Sequence, residues 1–412
     1  MGKSPIASSR RILVFSHKPF VPIVSGHAVR VHDMLAELVR RGFRVHFYSY
    51  DRIERDFKID GVSVTHVQYP PPTRALERGF LGRIMDVAKS REAILSIVTL
   101  HPKLLFRACS ELVTSHAVVV EHIWGALLPL VFAKLARKRA VVVDHNAESL
   151  LSLRLLATAR GRVGEGLLVA RLAYTLALEK IACSLADVVV VVSPFDGKWI
   201  TRQLHIDERK VVVVPNAVNP EIMKSRPELR NAVRTRLSVP EEVFLACFLG
   251  DLETPPNRLA AKTIIDDIGP KTLAMNSHVR FIVVGRYEKP LTGESSRGGA
   301  IFTNVVEDIQ PYLSAADICL APMEIGGGTK LKLLTYFAFS KPVVATRIAV
   351  EGISAIHGTH LIISEPRDFP SNILRLMSDP ELRNRLGSAA RELVLKEYDS
   401  RVVGGRLAEI LS

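Results

Sequence analysis

The stretch Asp187-Val-Val-Val-Val-Val-Ser193 places five valines between two polar residues. An apolar run without polar alternation is typical of a strand buried on both faces, as in parallel sheets covered by helices. Similar short runs recur between longer helical patterns. In the first half they are Arg11–Ser16, Arg44–Ser49, Ala117–Val120, Ala140–Asp144 and Lys210–Pro215; in the second half they are Val243–Gly250, Val279–Gly285, Asp317–Pro322, Pro342–Thr346 and Leu361–Ser364. The sequence therefore predicts an α/β protein with two doubly wound, Rossmann-like domains.

The domain boundary is expected where the first set of strands ends. Pro215-Asn-Ala-Val-Asn-Pro220 follows a strand directly and is rich in proline and asparagine, which are typical of turns, so it predicts a hinge. We expect an N-terminal domain over 1–215, a C-terminal domain over 216–395, and a last helix within 396–412 that packs back toward the N-terminal domain. Ligands of open α/β sheets bind at the carboxyl ends of the strands, so the two domains are expected to face each other across a ligand-binding cleft.

Composition and charge exclude some classes of protein. With 412 residues, 48% apolar and 24% charged, the chain is an ordinary folded protein and not a disordered, collagen-like or coiled-coil one. Of the net charge of +13, the part through residue 215 carries +12, from 31 Lys and Arg against 19 Asp and Glu. This asymmetry is compatible with a phosphorylated substrate, a membrane surface, nucleic acid, or simply a soluble basic surface.

Cysteines and apolar segments indicate the compartment. The four cysteines are far apart and form no C-x-x-C pair, which indicates neither a zinc site nor a disulfide framework and fits a reducing cytoplasm. The start of the chain lacks a signal-peptide core, and the apolar stretch Ile123–Ala133 is shorter than the ~20 residues that span a bilayer. Arg74–Arg107 mixes basic and apolar residues, which fits either an interfacial helix pair or ordinary surface helices. A cytoplasmic protein, with peripheral contact to an anionic inner membrane face as an option, is expected.

The turn after the first strand bears on cofactor use. Ser16–Gly26 lacks the G-x-G-x-x-G fingerprint, which counts against a dinucleotide-binding dehydrogenase, and we expect no cofactor. Gly26 lies directly before a helical pattern over His27–Arg41. A small residue there lets a phosphate approach the amides and the positive end of the helix dipole, although a plain loop glycine fits equally well.

Several motifs together resemble one enzyme family. They are Ser25-Gly-His27, Val143-Asp-His-Asn-Ala-Glu148, Ala186–Ser193, Val214-Pro-Asn-Ala-Val-Asn219, Ala316–Pro322, Gly326-Gly-Gly-Thr-Lys-Leu-Lys-Leu-Leu334 and Ser340–Thr346. In this order they resemble the GT-B glycosyltransferases of family 4, also called group 1, in the branch with a G-x-G-T-x-L-K turn. The resemblance implies a retaining, metal-independent transfer of a sugar from a nucleotide-sugar donor, held mainly by the second domain, to an acceptor entering through the first. The sequence also lacks the metal-binding D-x-D motif.

The resemblance assigns candidate site residues. His145 matches the family histidine beside the transferred sugar, with Asn146 and Glu148 as secondary candidates. Without a metal, the leaving diphosphate needs backbone amides, a helix dipole and cationic side chains, which a glycine turn before a helix can supply. The donor-binding set is accordingly Gly26, Gly250, Asn257, Arg286, Glu324, Gly326, Gly327, Gly328, Thr329, Lys330 and Thr335.

The sequence departs from the family pattern at the signature glutamates. These two positions fall on Gly327 and Thr335, so both carboxylates are absent. The second glutamate normally accepts hydrogen bonds from the ribose; a threonine offers one weaker bond, and Glu324 is the nearby substitute.

A second departure follows the strand that ends at Gly250. Asp251 and Pro256 occupy positions where many members carry an arginine and a lysine. Asn257 is expected to cap a helix. Positive charge for the leaving diphosphate is then expected from Lys330, Lys332 or Arg286.

The leading hypothesis is thus a glycosyltransferase acting on a glycan or lipid-linked acceptor. The departures at Thr335 and Asp251 leave open a non-catalytic GT-B partner protein with a decayed donor site, and the architecture leaves open a sugar-nucleotide epimerase. Nucleic-acid binding is raised only by the pI of 9.7. It is disfavoured, because the chain has no recognisable module and only 6% aromatic residues to interleave with its basic ones.

Overall fold

The computed structural model describes residues 10–16, 26–49, 61–66, 110–157, 162–287 and 299–412. The chain divides into two compact units. Unit 1 contains His27–Pro215 and Gly404–Ser412 together with the first strand, and unit 2 contains Gly26 and Asn216–Val403. The segment Arg74–Arg107 and most of the turn between Ser16 and Gly26 lie outside the described residues.

Unit 1 is built on a seven-stranded sheet whose neighbouring strands are all parallel. Its order is β3-β2-β1-β4-β5-β6-β7, so the direction of winding reverses between β1 and β4. The strands are β1 Arg11–Ser16, β2 Arg44–Ser49, β3 Val62–His66, β4 Ala117–Glu121, β5 Arg139–Asp144, β6 Val188–Val191 and β7 Val211–Val213. Ligands of such sheets bind where the order reverses, at the carboxyl ends of the strands.

The helices of unit 1 connect these parallel strands. They are α1 Gly26–Arg40, α2 Leu127–Leu135, α3 Glu148–Ala157, α4 Arg162–Leu185 and α5 Pro194–Gln203, with a short 3₁₀ turn at Glu208–Lys210. Ser193 caps α5, since its hydroxyl accepts the Asp196 N–H at 3.0 Å. The central strands β4, β5 and β6 are almost wholly buried, as their uninterrupted apolar runs predict.

Unit 2 repeats the plan with a six-stranded parallel sheet of order β10-β9-β8-β11-β12-β13. The reversal of winding lies between β8 and β11. The strands are β8 Phe244–Leu249, β9 Val279–Val284, β10 Ala300–Phe302, β11 Ile318–Ala321, β12 Val343–Ala345 and β13 Ile362–Ile363. The two parallel sheets confirm the predicted doubly wound α/β class.

Helices of unit 2 follow its strands in the same alternating way. They are α6 Pro227–Arg236, α7 Pro255–Thr263, α8 Gly269–Met275, α9 Gln310–Ala315, α10 Leu331–Ala338, α11 Arg347–Val350, α12 Phe369–Ser378 and α13 Pro380–Leu393, with π turns at Ile264–Ile268 and Val394–Tyr398 and a 3₁₀ turn at Pro366–Asp368. The last helix, α14 Ser400–Leu411, crosses from one unit to the other, because its residues from Gly404 group with unit 1. A Cβ at Gly404 would lie 2.2 Å from Cγ of Glu37 on α1, so glycine permits this close helix contact.

Two strands are absent from the sequence prediction. β3, Val62-Ser-Val-Thr-His66, alternates polar and apolar residues, and β10 has only three residues. Both lie at an edge of their sheet, where one side has no neighbouring strand and a continuous apolar run is not required. Among the described residues, no helix combines the length and apolar character needed to cross a membrane.

Candidate active site

The carboxyl edge of β4 and β5 carries the first group of functional side chains. The register pairs Glu121 with Val143, so Glu121 at the end of β4 lies beside the end of β5, where His145 follows. Oε2 of Glu121 is 2.6 Å from Nε2 of His145, and both residues are buried. His145 therefore stands at the strand end, as expected, with its ring oriented by a carboxylate that the sequence analysis did not single out.

A second histidine lies on this edge. The rings of His122 and His145 stack with centroids 5.6 Å apart and planes 10° apart. His122 has φ +81°, an uncommon backbone conformation for a side chain of this size, and its Nε2 is 3.2 Å from Oε1 of Glu148. Burial raises the pKa of Glu148, but the hydrogen bond and charge of His122 outweigh it and hold that pKa at about 2. Asn146 also donates to Glu148, at 3.2 Å. Of the two secondary candidates, Glu148 thus contacts the His122 ring directly and Asn146 contacts it through Glu148.

The turn that carries His145 is anchored by a buried carboxylate from α4. Oε1 of Glu179 accepts the N–H of Glu148 at 2.6 Å, and Ser149 donates its hydroxyl to the other oxygen. Glu179 thereby caps the amino end of α3. Burial raises its pKa to about 7. Neither oxygen of the fully buried Asp144 accepts a hydrogen bond from a described residue. Burial, and then the charge of Glu179, raise the Asp144 pKa well above its usual range.

Arg30 on α1 is a buried cation of this unit. It donates from Nη1 to the Pro215 carbonyl at 2.8 Å and from Nη2 to that of Val214 at 3.1 Å. Burial lowers its pKa to about 10, against the opposing charge of Glu121. Gly26, predicted to bind a phosphate, is the first residue of α1. The turn that precedes it lies outside the described residues.

In unit 2 the glycine turn leads directly into α10. Gly328 has φ +57°, in the left-handed region that favours glycine. Lys330 folds back beneath the turn: its Nζ donates to the Gly328 carbonyl at 2.9 Å, and a Cβ at Gly326 would lie 2.9 Å from its Cε. Among the described residues, no acceptor is bonded to the amides of Gly327, Gly328 or Thr329. These unbonded amides before a helix are the chemistry that binds a phosphate.

Lys332 is a second lysine at the turn. Its Nζ donates to Oδ1 of Asn257 at 2.7 Å and lies 4.1 Å from the ring centroid of Phe248. Burial, and then the charge of Lys330, lower its pKa to about 7. The expected helix-capping role of Asn257 is wrong, because α7 begins at Pro255 and Asn257 lies inside its first turn. The Asn257 side chain instead joins Lys332 to the loop after β8.

The ends of β8 and β9 meet at two glycines. A Cβ at Gly285, which has φ +146°, would lie 2.0 Å from the Gly250 carbonyl oxygen. A Cβ at Gly250 would lie 2.9 Å from Cγ of Asn257. Beyond them, Arg286 forms a two-pronged ion pair with Asp251, with Nη2 to Oδ2 at 2.7 Å. Arg286, which we expected to stabilise the leaving diphosphate, is thus paired with Asp251, the residue at the position where many family members carry an arginine.

The remaining predicted donor contacts are engaged within the chain. Thr335 donates its hydroxyl to the Leu331 carbonyl, one helical turn back, at 3.0 Å and is buried. Glu324 is exposed and accepts the Thr263 hydroxyl at 3.1 Å. Among the described residues, no cluster of three or more His, Cys, Asp or Glu side chains is arranged to hold a metal ion.

Comparison with known families decides the identity. The model "Glycosyltransferase Family 4" matches residues 24–222, and "Glycosyl transferases group 1" matches residues 244–379, so that each unit carries one. The chain belongs to the group 1/family 4 glycosyltransferases. This confirms the resemblance at the level of the family, whereas the G-x-G-T-x-L-K branch and the site roles stay predictions.

Solved structures share the fold of this glycosyltransferase over nearly its whole length. Sucrose-phosphate synthase from Thermosynechococcus elongatus has a TM-score of 0.71 at 16% identity, covering 97% of this chain and 98% of the other. Anabaena Alr3699/HepE in complex with UDP-glucose has a TM-score of 0.69 at 15% identity, covering 97% and 99%. WaaG, a glycosyltransferase involved in lipopolysaccharide biosynthesis, has a TM-score of 0.68 at 14% identity, covering 97% and 99%. These neighbours establish the GT-B fold.

A curated relative is the "Uncharacterized 44.6 kDa protein in cps region" of Klebsiella pneumoniae. It is 24% identical over an alignment of 166 positions, which covers 38% of this chain. The match spans 43% of that relative's length.

Proposed function

We propose that this glycosyltransferase transfers a hexosyl group from a nucleotide-sugar donor, with retention of anomeric configuration and without a metal ion, to a glycan or lipid-linked acceptor of polysaccharide synthesis. The observation that carries the proposal is the glycine turn before α10, where the amides of Gly327, Gly328 and Thr329 have no bonded acceptor among the described residues, with Lys330 at the end of the turn and Lys332 in the first turn of α10. A turn of this kind binds a diphosphate.

The leaving group sets the electrostatic demand. When the sugar departs, negative charge develops on the diphosphate, and preorganised donors lower the barrier to its departure. In this proposal the amides, the α10 dipole and Lys332 supply that stabilisation. Lys330 acts mainly on the shape of the turn, since its ammonium is bonded to the Gly328 carbonyl.

Retention is proposed to follow front-face attack. The acceptor hydroxyl attacks the anomeric carbon on the side that the diphosphate leaves, and the departing phosphate oxygen takes the hydroxyl proton. No enzyme nucleophile is required, which suits a histidine edge where Glu121 is bonded to His145 and Glu148 to His122. His145 then positions donor hydroxyls beside the reacting carbon.

The choice of donor and acceptor classes has support from the relatives. HepE of Anabaena is described in complex with UDP and with UDP-glucose, and the Klebsiella relative is named for the cps region. A uridine-diphosphate sugar is thus the first donor to try. The strongly basic half of the chain through residue 215 suits work at the cytoplasmic face of an anionic membrane.

The test is a panel of UDP-, GDP- and ADP-sugars with the full chain in excess EDTA. We expect one nucleoside diphosphate to bind by calorimetry, and its sugar to be consumed with an acceptor present. The product anomer is then read by NMR. Binding or turnover that appears only after a divalent cation is added contradicts metal independence, and an inverted anomer contradicts the mechanism. Sedimentation with vesicles containing anionic lipid, compared with neutral vesicles, tests membrane contact.

A second candidate function is a non-catalytic partner with a decayed donor site. Two observations favour it: the Thr335 hydroxyl is bonded to its own helix, and Asp251 neutralises Arg286. The variant T335E separates the two candidates. If a site has decayed, the glutamate raises nucleotide binding and turnover from nothing. If the site works in its present form, T335E leaves activity unchanged or lowers it. Sugar-nucleotide epimerisation would appear as a changed sugar without acceptor.

A further inference from the structure

Asn216 is a buried polar residue that the proposed chemistry does not use. It follows Pro215 in the predicted hinge motif and is 8% exposed. Its Nδ2 donates to the carbonyl of Thr329 at 3.0 Å and lies 2.6 Å from the Thr329 hydroxyl oxygen. The two residues are 113 positions apart in sequence. One amide group therefore reaches both acceptors of the residue that ends the glycine turn.

The backbone beside Asn216 is itself fixed. The N–H of Val218 donates to the Tyr398 carbonyl at 3.0 Å, and the N–H of Ser400 donates to the Val218 carbonyl at 2.9 Å. Ala217 and Val218 are buried. Asn216 thus lies two residues before a short parallel bridge between Val218 and Asp399, which fixes the backbone next to it. Because these hydrogen bonds fix the backbone next to Asn216, its side chain can hold the glycine turn in one conformation.

We propose that Asn216 is a positioning residue for the donor site, which fixes the glycine turn so that its amides meet the diphosphate together. Both acceptors of Thr329 are engaged by Asn216, which leaves the Thr329 amide N–H and its hydroxyl proton as the donors that it can offer to a ligand. The same contact fixes the start of α10, because Lys330 immediately precedes that helix. The turn contains three successive glycines, which alone would sample many backbone conformations.

This inference rests on the proposed function, because the turn is taken to bind a diphosphate. Its consequence for binding follows from preorganisation: a turn that must be ordered by the ligand binds it more weakly. Without Asn216, two buried acceptors of Thr329 also lose their donor, which is costly in an interior site. The expected effect of N216A is about tenfold weaker binding of UDP.

The experiment compares UDP binding by calorimetry for the wild type, N216A, N216D and N219A. The control N219A removes the asparagine three positions further along, whose Oδ1 accepts the Glu221 N–H and which has no hydrogen bond to the turn among the described residues. We expect N216A and N216D to weaken binding, the latter because its carboxylate repels the Thr329 carbonyl, and N219A to match the wild type. If the wild type binds no nucleoside diphosphate, the proposed function fails; if it binds and the Asn216 variants bind equally well, this inference fails.

A ligand-free readout tests the inference independently of donor binding. Hydrogen exchange of a peptide that covers the start of α10, where the Leu333 N–H is bonded to the Lys330 carbonyl at 2.9 Å, is expected to be faster in N216A than in N219A, while exchange in β11 is unchanged. T329V removes one of the two acceptors, so in its background N216A should cost less UDP affinity than in the wild type. Once turnover of a donor can be measured, we expect N216A to raise the KM for the donor and to leave the KM for the acceptor unchanged. Unchanged exchange at the start of α10, or fully additive effects of the two substitutions, overturns the proposal.

Discussion

Lys332 donates to Oδ1 of Asn257 at 2.7 Å while its ammonium lies 4.1 Å from the centroid of the Phe248 ring. The asparagine is held in turn by its own bond to the Asp251 carbonyl, at 3.0 Å. The lysine is thus fixed by an uncharged amide and an aromatic face, without a carboxylate among these partners. Burial and the charge of Lys330 lower its pKa to about 7, so the side chain is partly neutral near pH 7 and can take up a proton when an anion binds.

We predict that UDP binding at pH 8 is accompanied by proton uptake through Lys332. Because its pKa is about 7 without ligand, the side chain is mostly neutral at pH 8, and a bound diphosphate favours the charged form. At pH 6 the side chain is already charged, so uptake is expected to be small. Calorimetry in two buffers of different ionisation enthalpy measures the protons taken up.

The variant K332M isolates this group. We expect it to abolish the proton uptake at pH 8 and to weaken UDP binding about tenfold or more, as befits the loss of a charge-assisted bond. The matched control is K262M, an exposed lysine whose partner in the structure is Asp266. Uptake that persists in K332M shows that another group supplies the charge.

The bond between Glu121 and His145 predicts a loss of turnover without a loss of donor binding. H145A removes the ring that we place beside the reacting carbon, and we expect turnover to fall about hundredfold. E121Q keeps the shape of the Glu121 side chain but weakens its bond to the His145 ring, and we expect turnover to fall about tenfold. UDP affinity should change little in both variants, because the proposed diphosphate contacts lie in unit 2.

The control for these variants is H116A, an exposed histidine just before β4. It should retain full turnover. If E121Q is as active as the wild type, the carboxylate has no part in positioning His145. If H145A loses UDP affinity in proportion to turnover, the histidine acts on nucleotide binding instead of the sugar.

The fold could be predicted because the central strands have a recognisable sequence pattern. β4, β5 and β6 are buried on both faces, and each contains a run of three or four valines. The edge strands β3 and β10 carry no such run, since burial on one side places weaker demands on the sequence. The run Asp187–Ser193 also overstates its strand, which spans Val188–Val191, because Val192 and Ser193 already turn toward α5.

The site could be predicted only where it is local in sequence. The glycine turn and the segment around His145 are contiguous, so their residue types can be read directly. The partners could not be found in this way: Glu121 is 24 positions from His145, and Arg286 is 35 from Asp251. A strand register or a meeting of loops creates each pair. One signal was available, since Glu121 and His122 are polar residues that directly end an apolar strand.

Glu179 predicts a pH-dependent loss of stability. Its pKa is raised from 4.5 to about 7 by burial, so the folded protein binds this proton more tightly than the unfolded chain. The stabilisation is complete below about pH 4.5 and is lost as the pH rises toward 7, by up to about 3 kcal/mol. In E179Q the position no longer titrates, so the fall in stability between pH 5 and pH 8 should be smaller.

Urea unfolding over this pH range measures the difference. The amide of E179Q can still accept the Glu148 N–H, and its NH₂ can donate to Asp144, so we expect the variant to fold. E208Q, on the exposed 3₁₀ turn, serves as the matched control and should follow the wild-type pH curve. Equal pH dependence in E179Q and wild type is inconsistent with Glu179 being the titrating group.

Gly328 provides a test of the turn with a control of the same backbone type. Gly328 has φ +57° and Gly358 has φ +75°, so alanine at either position is forced into the left-handed region. We expect G328A and G358A each to lose about 1 kcal/mol of stability in urea unfolding. A Cβ at Gly358 has no neighbouring atom within 4 Å, and the position lies in the loop before β13. Only G328A is therefore expected to weaken UDP binding, by about tenfold, since strain there moves the amides that the diphosphate would contact. Equal UDP affinity in the two variants would mean that the diphosphate does not depend on the geometry of this turn.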